Sequence, residues 1–553
     1  MNPAGQNVAS QRMALLLCMA SYLLFFRTIM PSGDALVYLN HVREGSLIWN
    51  PNHLLMDPVA YLWSKALGWF GITEDGVTAL KVLSGLSALV AIAIFDMVLV
   101  EAGIKSFWAR AAGMVGLFAS RNFLTMALSE EFFMIQMPLL SAVLLMLVRY
   151  CNGGAVEQRY AAMWRVGVLL ALTTAISVNN VFLILGMAAV IVLQRRYSSL
   201  ERYGAVWRLG VSSLVVGVSL FGAAYVLSGT GAGFVGWLTA YQGNTDNPIA
   251  GLYGIQWRLS DVVISLNKIG FNLLANFVDF GPLGTLLKSV AFGLPLEIRV
   301  NWLLTLVGGL LAVAVFAALI RLTIWVAVAG WRLQIVRFGL AWILSYGVFN
   351  LYWNDSSDQF WFQLLPVMWL MLLLPSGAAS GHATNGSVMP SPGLSRGEIT
   401  FGMVPVLLVV NTALVAAPGA LVDYDRYLAE HRQLIRAGDL EIIPGWDGLR
   451  WLGADETYPG YEQVTLMQLA TGRDGDGKSL MESLPQRVRE RLNAGNRVFV
   501  ARLYDRDDKP RPWDNLRKLG WPRERIQALL GEFDTTRAIS IGGIVIREVR
   551  LRE

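Results

Sequence analysis

The first concentration of reactive side chains comes directly after the first apolar run. RTIMPSGDALVYLNHVREGSLIWNPNHLLMDP, residues 27–58, holds three acids, two histidines, two arginines, three asparagines and a tryptophan. Asp34 stands four residues past Met30. A carboxylate there can take a proton from a hydroxyl nucleophile; it can equally cap a helix starting in ALVYLNHV. Asn52, His53 and Asp57 belong to the same stretch. Ionisable and amide groups gathered at a membrane edge mark a candidate site. Glu130 and Glu131, in RNFLTMALSEEFFMIQMPLL, are a second acid position. Adjacent helical residues point ~100° apart, so one of the two can face a given site, and helix capping is the plain alternative. Asn179 and Asn180 interrupt an apolar run in TTAISVNNVF, either as a tight turn or as ligands. Asp355, Asp358 and Gln359 stand in NLYWNDSSDQFWFQLLP. The aromatic flanks there fit an interfacial belt, and a solvated loop is the alternative.

These groups sit in a chain of 553 residues that is 54% hydrophobic and only 15% charged, with a mean hydropathy of +0.47. Soluble domains carry about 25% charged residues, so the composition predicts a polytopic membrane protein. The net charge of +5 is small for this length and points to no nucleic acid partner. Two cysteines, Cys18 and Cys151, and four histidines make neither a disulfide framework nor a zinc centre. Cys151 is expected in a cytoplasmic loop.

A membrane span needs ~20 apolar residues. Such runs predict about eleven spans: Arg12–Met30, Val77–Val100, Phe107–Thr125, Phe132–Arg149, Trp164–Val178, Val181–Leu193, Leu209–Leu227, Trp302–Ile320, Phe338–Tyr352, Phe360–Leu374 and Thr400–Ala417. The first reads as a signal anchor. Lys105, Arg110, Arg149, Arg159, Arg195, Arg196, Arg321 and Arg337 fall in alternate loops or helix ends, which places the N-terminus in the cytoplasm. The organisation is then a membrane domain over 1–418, with outer loops 31–76 and 229–300, and a soluble extracytoplasmic domain over 419–553. The fold class is mainly α, a helical bundle with a small C-terminal α/β domain. In the tail, LPQRVRERLNAG predicts a helix ending at Gly495, and NRVFVARLY and AISIGGIVIREVRL predict strands. PSGAASGHATNGSVMPSPGLSRGE reads as a linker before the last span.

The order of these features resembles the GT-C superfamily of integral-membrane glycosyltransferases, in particular the protein O-mannosyltransferase-like and aminoarabinose-transferase-like branch. PSGDALVYLNHVREG is similar to the element that carries an Asp just after helix one, with Asp34 at that position. LSEEFFMIQMPLLSAVLLML is similar to the second acid and its Leu-rich helix, with Glu130 or Glu131 as the acid. SSDQFWFQLLPVMWLMLLL is similar to the outer polar-aromatic motif that leads into a Pro-containing helix. Two features depart from the pattern: Asn179 stands where close relatives often carry Lys or His, and the usual double acid beside Asp34 is missing.

The resemblance implies transfer of a sugar from a polyprenyl-phosphate carrier to an extracytoplasmic acceptor hydroxyl of a glycan, lipid or protein. Asp34 would be the general base, with Glu130 or Glu131 positioning the sugar or acceptor. His53, Asn52, Asp57, Asn179, Asp358 and Gln359 would bind substrate. No cofactor is dictated, and a divalent cation is compatible with the acids. The expected setting is a bacterial inner membrane, with membrane lipids as the other partners. The competing readings are a transporter or flippase of lipid-linked glycans and a non-catalytic envelope assembly subunit. A transporter predicts ionisable groups at the bilayer midplane and matched halves, and the sequence offers neither.

Overall fold

The structure, a computed structural model, describes chiefly residues 3–26, 47–71, 76–129, 132–239, 269–278, 302–353, 361–377 and 396–416, and in the tail 430–444, 462–472, 479–504 and 513–552, with short gaps inside these ranges. The helical part runs α1 Pro3–Phe25, α2 Met56–Trp69, α3 Gly76–Glu101, α4 Phe107–Ala119, α5 Arg121–Leu128, α6 Gln136–Asn152, α7 Val156–Ile176, α8 Val181–Leu193, α9 Ser199–Ser228, α10 Phe234–Thr239, α11 Trp302–Val328, α12 Gln334–Trp353, α13 Leu365–Gly377 and α14 Arg396–Asn411. Among the described residues four helices are long and apolar enough to cross a membrane, or five if α4 and α5 form one bent span. The chain is a multi-pass membrane protein.

The packing follows from small residues and caps. Ser198 and Glu201 form a reciprocal capping box, which starts α9 within a polar stretch. Glu201 also accepts from Arg159 Nη2 at 2.7 Å, and Arg159 Nη1 donates to Gly153 O and Gly154 O. These bonds pin the first turn of α9 to that of α7. Farther along the same helix pair, Ser213 Oγ donates to Gly167 O at 3.1 Å. A Cβ at Gly167 would meet the Leu209 carbonyl oxygen at 2.5 Å, so only glycine permits this approach. Cys151 lies in the last turn of α6 rather than in a loop, because α6 extends to Asn152. The segment expected as outer loop 31–76 contains α2, whose buried face carries Met56, Asp57, Ala60, Ser64 and Leu67.

In the tail, α15 Leu466–Thr471, α16 Leu484–Asn493 and α17 Arg523–Leu529 accompany six strands. These are β1 Leu440–Ile443, β2 Glu462–Thr465, β3 Val498–Ala501, β4 Phe533–Thr535, β5 Ile539–Ile541 and β6 Ile544–Leu551. The sheet order is β2-β1-β3-β6-β4, with β5 also on β6; β1 is parallel to β2 and β3, and β6 is antiparallel to its neighbours. The expected helix ends as predicted, with Gly495 at φ +77°, a conformation that glycine adopts without strain. Strand periodicity divides the sheet between two cores. Leu440, Ile442, Val498, Val500 and Val549 pack with the tail's own helices. Ile443, Phe499, Ala501 and Ile546 belong to the core that is continuous with the helical part.

Candidate functional site

Helices α4, α6, α7, α8, α12 and α13 bring Ser120, Gln136, Ile176, Val181, Trp353 and Leu365 to one end of the bundle, opposite the end that holds Arg149 and Arg159. The turn from α7 to α8 is a short 3-10 segment, Val178–Asn180. Asn180 organises it from within and is wholly buried. Its Nδ2 donates to Gln136 Oε1 at 2.7 Å, to Thr173 O at 2.9 Å and to Ser177 O at 3.0 Å, while Oδ1 accepts from the Tyr346 hydroxyl of α12. Asn179 is also buried, and its Oδ1 accepts from Ser177 Oγ at 2.7 Å.

The segment before α2 docks on this turn through its backbone. Val178 N donates to Asn52 O at 3.1 Å, and Leu55 N donates to Ala175 O at 2.9 Å. His53 Nδ1 lies 3.1 Å from Ile176 O. A carbonyl only accepts, so Nδ1 carries the proton and Nε2 is the basic nitrogen of the neutral ring. The His53 ring meets Phe133 edge-on at 5.9 Å, and Phe133 meets Phe362 at 6.3 Å. Asp57, in the first turn of α2, is buried at 1% exposure. The structure therefore brings Asn52, His53, Asp57 and Asn179 into one layer. Asp34, Glu130, Glu131, Asp358 and Gln359 lie outside the described residues.

A second polar knot holds the bend between α4 and α5, which turns through 65° at Ser120. Trp369 Nε1 donates to Ser120 Oγ at 2.9 Å, and Ser120 Oγ donates to Gly116 O at 2.8 Å. Asn411 Nδ2 donates to Ala119 O and Phe277 O, both at 2.7 Å. Asn122 Nδ2 donates to Asn276 Oδ1 at 2.5 Å, and Asn276 Nδ2 donates to Trp361 O at 2.7 Å. The knot thus ties α5, residues 269–278, the turn before α13 and the end of α14 to one point. Arg121 opens α5 here, and its Nη1 donates to Asn122 Oδ1 at 2.7 Å.

Several buried polar atoms in this layer have no hydrogen-bond partner among the described residues: Asn52 Oδ1, Gln136 Nε2, Asn179 Nδ2, Trp361 Nε1 and both amide atoms of Gln363. More than about 90% of buried polar groups in proteins are paired; unpaired atoms also lie away from this layer, as at Gln194 Nε2 and Trp342 Nε1. Sequence reading passed over Gln136, Trp361 and Gln363. The available cue was an amide at the boundary of an apolar run, in FMIQMP and FWFQLLP. Among the described residues no three His, Cys, Asp or Glu converge on a metal position.

No family model matches the chain, and no curated protein matches it by sequence. Among solved structures 16 chains match. ArnT from Cupriavidus metallidurans bound to undecaprenyl phosphate is 13% identical, covers 98% of this chain and 97% of its own, and superposes with a TM-score of 0.50. The Archaeoglobus fulgidus oligosaccharyltransferase in complex with zinc and sulfate is 13% identical, with 96% of this chain and 72% of that chain covered and a TM-score of 0.52. Its apo form gives 12% identity, coverage of 95% and 73%, and a TM-score of 0.50. A common path along nearly the whole chain at such low identity is a likeness of fold: the chain shares the fold of ArnT and of the archaeal oligosaccharyltransferase.

Proposed function

We propose that the protein is a membrane glycosyltransferase that moves a sugar from a polyprenyl-phosphate donor to an extracytoplasmic acceptor hydroxyl. One observation carries this reading. The fold is shared end to end with a structure that holds undecaprenyl phosphate, and at one end of the bundle it gathers Asn52, His53, Asp57 and Asn179. Eleven bundle helices, α1, α3, α4 with α5, α6 to α9 and α11 to α14, would then cross the membrane. The N-terminus would be cytoplasmic, and the tail from 419 onward would stand in the periplasm of a bacterial inner membrane.

In the reaction the acceptor oxygen attacks the anomeric carbon, the carbon–oxygen bond to phosphate breaks, and the hydroxyl proton passes to the Asp34 carboxylate. Glu130 or Glu131 orients sugar or acceptor, as Asp358 and Gln359 also do, a few residues ahead of α13 in the sequence. The leaving phosphate needs hydrogen-bond donors or a cation. Arg121, at the bend of the α4–α5 span, and His53 are suited to it. A divalent cation is compatible with these acids, and no step above requires one. The test is transfer of labelled sugar from polyprenyl-phosphate donors by purified protein, with Asp34→Asn in parallel. The reading predicts that the folded variant loses at least about a hundredfold in rate, the usual worth of a general base. Full activity in Asp34→Asn would remove Asp34 from that role.

A further inference from the structure

Two helices of the bundle carry the same motif near their starts. RYAAMWRVGV, residues 159–168 in α7, returns as RYGAVWRLGV, residues 202–211 in α9, with seven of ten positions identical. The leading arginines act alike. Arg159 donates to Gly153 O and Gly154 O just past the end of α6, and Arg202 Nη1 donates to Val192 O in the last turn of α8 at 2.6 Å. Each copy thus opens the second helix of a hairpin. The two helices run parallel, tied at Arg159–Glu201 and, farther along, at Gly167–Ser213. The copy in α7 shows what the motif packs against. Tyr160, Trp164, Gly167, Ala171 and Thr174 are spaced four and three residues apart in turn, which sets them in one stripe along the helix. The Arg208 guanidinium of α9 lies over the Tyr160 ring, 3.7 Å from its centroid. A Cβ at Gly204 would meet the Tyr160 hydroxyl at 2.5 Å, and one at Gly167 would meet the Leu209 carbonyl oxygen at the same distance. Ala171 and Thr174 are buried. In α7, then, the stripe holds a parallel membrane helix.

The corresponding stripe of α9 is Tyr203, Trp207, Gly210, Leu214 and Gly217. Here Tyr203, Trp207 and Leu214 are 64%, 69% and 65% exposed, and a Cβ at either glycine meets nothing within 4 Å. Glycine is among the poorest residues for a helix interior. Among the described residues no contact of α9 calls for it at these two places, whereas small residues in membrane helices mark close approach by another helix. Large and small side chains alternate along the stripe, so it complements itself. In a parallel pair Leu214 of one helix enters the gap between Gly210 and Gly217 of the other, with a crossing angle of about +20°. Two copies of one membrane protein share one orientation. A two-fold axis along the membrane normal therefore sets α9 against α9 in the same parallel sense as α9 lies against α7. We propose that the protein forms a two-fold dimer in the membrane through the Tyr203–Trp207–Gly210–Leu214–Gly217 face of α9. The proposal is independent of the sugar-donor reading above.

The experiment counts subunits of labelled full-length protein, molecule by molecule, in lipid bilayers of decreasing protein density. The native protein should show dimers whose fraction falls on dilution. The double variant Gly210→Leu, Gly217→Leu should raise the apparent dissociation constant about tenfold or more by overpacking the contact. It should keep native circular dichroism, because leucine is the better helix former and both sites are open within one chain. Leucine is chosen because its bulk closes the gap that a single methyl would only narrow. Ser219→Leu, about 140° around the helix from Leu214, should leave the dimer unchanged. A second measurement needs no bulky substitution. In a chain carrying Cys18→Ser and Cys151→Ala, Leu214→Cys should form a disulfide-linked dimer on oxidation in the membrane, and Ser219→Cys should not. Monomers at every density, or dimers undiminished in the double variant, would overturn the proposal. Equal linking by Leu214→Cys and Ser219→Cys would overturn it as well. Linking of Leu214→Cys to a different membrane protein, with no linked dimer, would put that partner in place of the second copy and overturn it too.

Discussion

At the scale of residues, amides organise the described turn between α7 and α8. Asn180 joins α6, α7, α8 and α12 through both ends of one side chain. Asn180→Ala would leave Gln136, Tyr346 and two backbone carbonyls short of a partner and should destabilise the protein by about 2–3 kcal/mol. Asn180→Asp should do no better, since a carboxylate cannot donate to three oxygens. Thermal unfolding in detergent checks both. The pair Asn179–Asn180 was visible in the sequence as an interruption of an apolar run. Which of the two is structural was not visible, because that depends on Gln136 and Tyr346, 44 and 166 residues away. In the tail, burial raises the Tyr504 phenol above its ordinary value. The neutral form is therefore favoured on folding. Its contribution to stability is whole below about pH 10 and is lost as the pH rises through the folded value. Amide exchange of the tail strands should quicken above that pH in the native protein, and less so in Tyr504→Phe.

At the scale of elements, apolar runs located most helices, and for Val181–Leu193 the expected and observed limits coincide. The break at Ser120 was not legible. The stretch reads as one run, Phe107–Thr125, without Pro at the bend. The bend depends on Trp369 and Asn411, which arrive from the far end of the chain. The early start of α9 was hidden for the opposite reason: its first turns are polar, and the Ser198–Glu201 box, rather than hydropathy, begins it. Two substitutions test this level. Asn411→Leu removes the donor to Ala119 O and Phe277 O and should cost about 2–4 kcal/mol, with proteolysis or exchange increasing first in α5 and residues 269–278. Gly167→Ala forces α7 and α9 apart and should cost about 1–3 kcal/mol by overpacking. Gly210→Ala, where a Cβ meets nothing within 4 Å, is the neutral control.

At the scale of the whole molecule, α1 is held to the bundle by charge. Arg12 of α1 and Arg110 of α4 both reach Asp96 of α3, at 3.1 and 3.3 Å, and Asp96 is buried. Asp96→Asn would leave two guanidinium groups without their anion and should destabilise the protein by about 3 kcal/mol, detected as loss of folded protein after extraction. The placement of α1 bears on function because Asp34 follows it in the chain. Composition predicted the division between a helical membrane part and an α/β tail. It gave no sign that one face of the tail sheet shares the helical part's core, since Ile443, Phe499 and Ile546 read only as alternating strand residues.

The central claim concerns the donor, and the most direct measurement is consumption of polyprenyl-phosphate-linked sugar. Purified native protein in nanodiscs would be supplied with a panel of labelled lipid-linked sugars and a crude envelope fraction as acceptor source. The account predicts release of label from at least one lipid donor, with formation of polyprenyl phosphate in equal amount. Retention of all label on lipid, by well-folded protein that also fails to bind undecaprenyl phosphate, would contradict it.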